Sequence, residues 1–430
     1  MNSATERSTT PVTAATAYTP RQRHLILTFA IIGALIECME LNLLSFPLRD
    51  LATSFGVENQ TIVGIITLQS LASIGGGFLF GWIADRWGRR ITFVLFTGLY
   101  SVAAVVGGFI TDLGLFTATR VVAGLAMGGA FGVIFAMFSE SWKSPKRGFM
   151  GSVLQGMFIA GTLITQLVLF TTISLLGSDS GWRTGFVGIG VGCLIVAGAA
   201  FFLLPESTVW QAARAATVST AAAVAAGEET KAVRTRPDAR IVRGAIFLTI
   251  CTTGVFAASY SYITFAPTFL RAEGFSLSTS TVILTVGTLL GIASYIVAGT
   301  LSDRVGRRRA TLGACLVGVV GFGLFALIGG GNVWVAAVAL MGPAIGYAGF
   351  GVLGTWISEY YPTRYRAFGS GVTYYVARGI GSGLFPLAAI AIAGGDLRIA
   401  LALGGVGAVL GLVGCLFVPD TANKVISAEA

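Results

Sequence analysis

The sequence predicts an all-α membrane protein with twelve transmembrane helices in two pseudo-symmetric six-helix bundles. Three observations carry that prediction: composition, the length of the apolar runs and an internal repeat. Of 430 residues, 54% are hydrophobic and only 11% are charged, and mean hydropathy is +0.82, which places the chain outside the soluble class. A hydrocarbon core of about 30 Å takes roughly 20 apolar residues per helix, and the chain supplies about twelve such runs. "GWIADRWGRR" (Gly81 to Arg90) is echoed by "GTLSDRVGRR" (Gly299 to Arg308), and "SESWKSPKRGF" (Ser139 to Phe149) by "SEYYPTRYRAF" (Ser358 to Phe368). The two offsets agree to within one residue, and the sixth and twelfth runs close alike, on "LPES" (Leu204 to Ser207) and "VPDT" (Val418 to Thr421). Such constancy implies two bundles in the same orientation, related by an axis along the membrane normal.

In order, residues 1–24 form a polar Thr/Ala-rich tail, and the apolar run after it is too long for the core of a cleavable signal peptide. The first bundle, 25–204, holds runs near 25–47, 62–84, 91–110, 113–138, 149–176 and 182–204. Residues 205–243, Ala-rich and then basic ("KAVRTRPDARIVR"), read as a partly helical, partly flexible linker. The second bundle, 244–418, holds runs near 244–270, 279–301, 310–328, 333–357, 367–393 and 397–418, and 419–430 is a short tail. Pro267 is placed to break the outer end of the seventh run.

The net charge of +9 does not point to nucleic acid, because of where it lies. With the N-terminus inside, Arg7, Arg21, Arg23, Arg86, Arg89, Arg90, Lys143, Lys146, Arg147, the basic residues from Arg214 to Arg243, Arg304 to Arg309, Arg364 and Arg366 all fall on the inner side. The outer loops keep Arg49, Arg183, Arg271 and Arg398, a bias that matches the positive-inside rule. A multi-pass protein of the cell membrane with both termini cytoplasmic is expected. Cys38, Cys193, Cys251, Cys315 and Cys415 stand one to a helix without CxxC spacing, and His24 is the single histidine. Neither a disulfide framework nor a metal site is indicated, and no cofactor is expected.

The repeated loops carry a candidate cytoplasmic gate. Asp85 and Asp303 fall at helix ends facing basic side chains of neighbouring loops, where charge-assisted bonds can hold that face shut. The gate set is Gly81, Asp85, Arg86, Gly88, Arg89, Arg90, Glu140 and Arg147 in the first half, and Gly299, Asp303, Arg304, Gly306, Arg307, Arg308, Glu359 and Arg366 in the second.

Four charges lie in the wrong solvent. An ionised side chain at the bilayer centre costs about 2.5 to 3.5 kcal/mol on insertion scales, so each is a functional candidate. Glu37 and Glu40 lie three residues apart on one face of the first run, roughly 18 and 22 Å from its inner end at 1.5 Å per residue. Two carboxylates so close do not easily both ionise, which makes the pair a candidate proton site. Arg378 offers a planar fork to a carboxylate, with Tyr374 and Tyr375 beside it. Arg120 lies about two turns inside the fourth run, as a further substrate contact or a brace for the first helix. Tyr260 and Tyr262 of the seventh run, and Gln155, are candidate cavity residues. Two acids and two arginines leave the core neutral, and one anion entering with one proton keeps it so.

The pattern G-x-x-x-D-R-x-G-R-R, present twice, resembles the major facilitator superfamily over essentially the full length. That resemblance implies a monomeric transporter working by alternating access, driven by a proton gradient rather than a cofactor. The E-x-x-P-x-x-x-R pattern of Glu359, Pro362 and Arg366, with "LPES", resembles the group of sugar porters, organic-ion carriers and aromatic-acid/proton symporters. In the first half Pro145 stands five rather than three residues after Glu140. Aromatic-acid/proton symporters carry an acidic pair three apart in helix one, an arginine in helix four and an arginine in a Gly-rich stretch of helix eleven. Glu37 with Glu40, Arg120 and Arg378 match those positions, with Glu-Cys-Met-Glu standing where that group has D-G-x-D. The expected function is proton-coupled symport of a small organic, aromatic carboxylate. A sugar porter and a proton-coupled drug efflux antiporter are the alternatives, and both leave Arg378 without a task. An enzyme is not expected, since no nucleophile or metal cluster is present.

Overall fold

The computed structural model describes residues 18–142, 146–225, 238–275, 277–328 and 333–422. Twelve helices there are long and apolar enough to cross a membrane: α1 Pro20–Asn42, α2 Thr61–Trp87, α3 Arg89–Phe109, α4 Leu113–Ser141, α5 Arg147–Leu176, α6 Ser178–Leu203, α7 Ala239–Leu270, α8 Val282–Val305, α9 Arg307–Leu327, α10 Ala337–Tyr360, α11 Thr363–Ile392 and α12 Leu397–Leu416. Among the described residues every regular element is helical. Residues 1–17, 143–145, 226–237, 276, 329–332 and 423–430 lie outside the description, and with them parts of both tails, part of the linker and the departure in spacing at Pro145.

The first helix departs most from the predicted run of 25–47. It starts at Pro20 because Thr19 and Gln22 form a capping box (3.2 and 3.0 Å) ahead of the apolar residues. It stops at Asn42, whose amide donates to the Cys38 carbonyl at 2.9 Å in competition with the backbone ladder. Residues 43–47 turn into a short helix, Leu48–Phe55. Glu37 and Glu40 therefore lie roughly 26 and 30 Å from the helix start, nearer its far end than the expected 18 and 22 Å. At the linker, Thr208–Ala225 is helical, and α7 begins at Ala239, so its first turn is basic. α7 continues through Pro267, and the loss of one N–H is absorbed without a break.

Breaks fall elsewhere instead, where glycines lower helix propensity. α4 is interrupted at Gly128 and Gly129, between Leu113–Met127 and Ala130–Ser141. Its counterpart α10 passes through a 3₁₀ turn at Gly346–Gly349. α11 loosens into a π-helical turn at Gly379–Leu384, a feature that concentrates at functional sites.

The halves, α1–α6 and α7–α12, meet where α2 packs on α11 and α5 on α8. Small residues permit this approach. A Cβ on Gly81 would come within 2.5 Å of Phe368 Cα, and one on Gly299 would run into Ser152 in the matching place. Gly124 and Gly128 of α4 pack against α2, whereas Gly132 meets Ala367 and Gly371 of α11. The five cysteines are free and buried.

Candidate functional site

At the face that carries the repeated basic loops, here the basic face, two ion clusters tie the halves together. Glu140 Oε1 accepts from Arg366 of the other half at 2.8 Å and from Arg89 of its own at 3.2 Å. Glu359 Oε1 accepts from Arg147 of the other half at 3.0 Å and from Arg307 of its own at 3.1 Å. Glu140 also accepts from Ser207, and Glu359 from Thr421 at 2.8 Å. All four arginines and both glutamates are buried, so each carboxylate is neutralised and fully bonded, as a desolvated charge requires.

Asp85 and Asp303 act differently from the expectation. Rather than meeting basic side chains of neighbouring loops, each pairs with an arginine one turn on, Arg89 at 3.1 Å and Arg307 at 2.7 Å. Each also caps a helix of the opposite half. Asp85 accepts from Ala367 N and Phe368 N, which open α11, at 3.3 and 2.9 Å. Asp303 accepts from Gly148 N and Phe149 N, which open α5, at 2.7 and 3.0 Å. Orphan N–H groups and the positive helix end make these natural carboxylate sites.

Of the remaining gate candidates, Gly81 and Gly299 lie at the contact between the halves, whereas the others serve their own half. Gly88 and Gly306 have φ of +112° and +100°, and a side chain on either would collide with Glu206 or Asp420. Those acids accept from the backbone N–H of Arg89 and Arg90 (2.9 and 3.2 Å) and of Arg307 and Arg308 (3.1 and 3.3 Å). Arg90 and Arg308 donate to Phe201 O and Leu416 O within their own halves. Arg86 and Arg304 are exposed, Arg86 lying over the Trp82 ring at 5.5 Å. Burial pushes the Glu206 carboxyl above its usual range, and the N–H groups of Ser207, Arg89 and Arg90 pull it partly back. Tyr18, which donates to Ser207 Oγ at 3.1 Å, is raised by burial and then by the charge of Glu140. Glu206, Asp420, Ser207, Thr421 and Tyr18 escaped the sequence reading, although the repeat of "LPES" by "VPDT" marked four of them.

Deeper in, the acidic pair does not share one site. Glu40 belongs to Arg120, at 3.0 Å. That arginine also donates to Ala103 O and lies over the rings of Phe116 and Phe186 at 5.5 and 5.3 Å. These partners of Arg120 all belong to the first half, as a brace for the first helix requires. Glu37 reaches across instead: Oε1 accepts from Tyr375 Oη at 2.6 Å and lies 3.8 Å from Arg378 Nη1. Each carboxylate has its own arginine, so the expected mutual repulsion is relieved by separate partners.

Arg378 and Glu37 are only 5% and 0% exposed. Among the described residues no hydrogen bond from the Arg378 guanidinium is recorded, and Glu37 Oε2 has no partner. Tyr260, Tyr374 and Tyr375 lie around the cation, the Tyr375 ring at 6.0 Å. Gln155 of α5 adjoins Tyr374, and its Oε1 is unpartnered. Tyr262 stands apart: two residues on from Tyr260, it turns to the other side of α7 and packs edge-on against Tyr347 at 5.6 Å. The site thus lies between the halves, with an acid from α1, an arginine and two tyrosines from α11, and a tyrosine from α7.

A family model, Major Facilitator Superfamily, matches residues 30–386. The chain belongs to that superfamily. This facilitator is a transporter rather than an enzyme, and a multi-pass membrane protein. It is 25% identical over 379 residues to the niacin transporter NiaP of Acinetobacter baylyi, covering 83% of this chain and 84% of that one. It is 24% identical over 404 residues to the cis,cis-muconate transport protein of the same organism, covering 91% and 93%. The structure of the proton:xylose symporter XylE bound to 6-bromo-6-deoxy-D-glucose superposes with a TM-score of 0.76 at 18% identity, covering 96% of this facilitator and 99% of that chain. That likeness shows the shared fold.

Proposed function

We propose that this facilitator is a proton-coupled importer of a small organic carboxylate, aromatic or planar, working as a monomer by alternating access with its basic face in the cytoplasm. The observation that carries the reading is Arg378. A buried guanidinium between the halves, 3.8 Å from Glu37 and 6.0 Å from the Tyr375 ring, is suited to a ligand carboxylate. Two relatives named for niacin and for cis,cis-muconate, both compact planar acids, support the same substrate class.

Coupling follows from charge balance. A substrate carboxylate on Arg378 competes with Glu37, and two anions facing one cation in a water-poor site are costly. A proton taken by Glu37 removes the surplus charge, so anion and proton enter together. Glu40, matched by Arg120, keeps the next turn of α1 neutral and leaves proton exchange to Glu37. One anion with one proton moves no net charge across the membrane potential, which is worth about 2.3 kcal/mol per charge per 100 mV. Uptake then runs on the pH gradient and the substrate gradient.

The test is uptake into vesicles with an inward proton gradient, offering aromatic acids, aliphatic acids and sugars. Arg378→Ala is expected to abolish saturable acid uptake, and Glu37→Gln to leave exchange of acid but remove its dependence on the pH gradient. Acid uptake indifferent to both changes, or uptake of sugars alone, overturns the proposal.

A further inference from the structure

Phe131 of α4 and Tyr374 of α11 form a parallel stack between the halves, with ring centroids 3.6 Å apart and planes at 7°. It is the closest and most nearly parallel of the recorded ring pairs. Aromatic pairs generally prefer offset or edge-to-face contacts, and the edge contact is supplied here by Phe256 of α7, 5.2 Å from Tyr374 at 73°. Phe135, one turn along α4, lies 4.6 Å from Phe131 and covers Gly354 of α10, where a Cβ would strike its ring. These rings lie towards the basic face from Arg378.

Tyr374 precedes Arg378 by four residues, so the two share a face of α11 about 6 Å apart along the axis. A ring bonded directly to a carboxylate that docks on Arg378 spans about that distance, enough to reach the Tyr374 ring on which Phe131 stacks. From this juxtaposition we infer that Phe131 is a specificity-determining residue, a built-in stand-in for the substrate ring. A planar acid displaces it from Tyr374, and the displacement breaks a contact between the halves on the release side of the site. A saturated acid of the same size binds Arg378 equally well but offers no flat face in exchange. Substrate shape and the opening of the basic face are thereby linked through one pair of rings. The inference rests on the carboxylate reading above and adds to it a selecting residue.

The test compares uptake of benzoate and cyclohexanecarboxylate by reconstituted wild type, Phe131→Leu, Phe131→Tyr and Tyr374→Leu under one proton gradient. Wild type is expected to prefer benzoate. Phe131→Leu should lower KM for benzoate several-fold while moving that for cyclohexanecarboxylate less than twofold. Tyr374→Leu should bring the preference near one, and Phe131→Tyr, which keeps a stacking ring, should resemble wild type. If wild type carries both acids and the KM ratio is the same in Phe131→Leu, the inference fails and the carboxylate reading stands. If wild type carries neither acid, Phe131 has no preference between them to set and the inference fails, while the carboxylate reading is decided by the wider acid screen above.

Discussion

Arg120 and Arg378 carry the same charge in opposite circumstances, and their neighbours decide what each does. Arg120 is saturated by Glu40, a backbone carbonyl and two aromatic faces. Truncating it strands a buried carboxylate, which costs about 3–5 kcal/mol. Arg120→Ala is therefore expected to lower the thermal unfolding midpoint markedly. Adding Glu40→Gln should restore much of the loss, because the double variant buries no unpaired charge. A double variant no more stable than Arg120→Ala would show that Arg120 acts by packing alone. The Arg378 guanidinium meets Glu37 only at 3.8 Å, which suits the binding role proposed for it. Arg378→Lys preserves the charge and loses the planar fork. Losing one charge-assisted bond is worth about 1.5–3 kcal/mol, so KM for the carboxylate should rise by roughly 10- to 150-fold. The dependence of uptake on the pH gradient should persist, since Glu37 remains. An unchanged KM would place carboxylate recognition elsewhere.

Among the elements, α2 approaches α11 backbone to backbone at Gly81, where a Cβ would come within 2.5 Å of Phe368 Cα. Gly81→Leu places a branched side chain against backbone, which cannot yield as a side-chain tip does. Overpacking of this kind costs about 1–3 kcal/mol, a shift of roughly 5- to 150-fold in a two-state ratio. Spin labels on the basic ends of α2 and α11 should report longer distances in the variant, and an unchanged distance distribution would show that the helices slide to absorb the bulk. The helices themselves were legible, because a membrane demands long apolar runs and the repeat located them twice. The breaks in α4 and α11 were not, since glycine there reads equally as a packing residue, and Gly128 is in fact both. The site was half legible. An acid or arginine in an oily run is conspicuous, but i,i+3 spacing says only that Glu37 and Glu40 share a face. Which acid meets α4 and which meets α11 depends on how three helices cross, and no single run encodes that. The caps were hidden for the same reason: Asp85 serves N–H groups of Ala367 and Phe368, partners in the other half of the chain.

For the whole molecule, pseudo-symmetry makes the two clusters on the basic face equivalent in kind. Glu140 with Arg366 and Glu359 with Arg147 each join the halves by one buried ion pair at 2.8 and 3.0 Å, backed by one helix cap apiece from Asp85 and Asp303. If the halves rock as proposed, both clusters act on that one motion and bias one equilibrium rather than two. Asp85→Asn and Asp303→Asn should therefore have similar effects, each weakening a cap while leaving both glutamate clusters bonded. A cap to a charged group is worth about 1.5–3 kcal/mol, so either single variant should move the closed-to-open ratio of the basic face by roughly 10- to 150-fold. The double variant should move it by the product of the two. Alternating access needs both states populated, and moving a ratio from 1:99 to 99:1 takes about 5.5 kcal/mol. The double variant approaches that span. It should trap the basic face open, with net uptake falling well below either single variant although carboxylate binding from the basic side persists. Label distances across the basic face, read beside uptake rates, check this. If one aspartate variant opens the face and the other leaves it closed, the clusters are not equivalent and rocking is governed from one half alone.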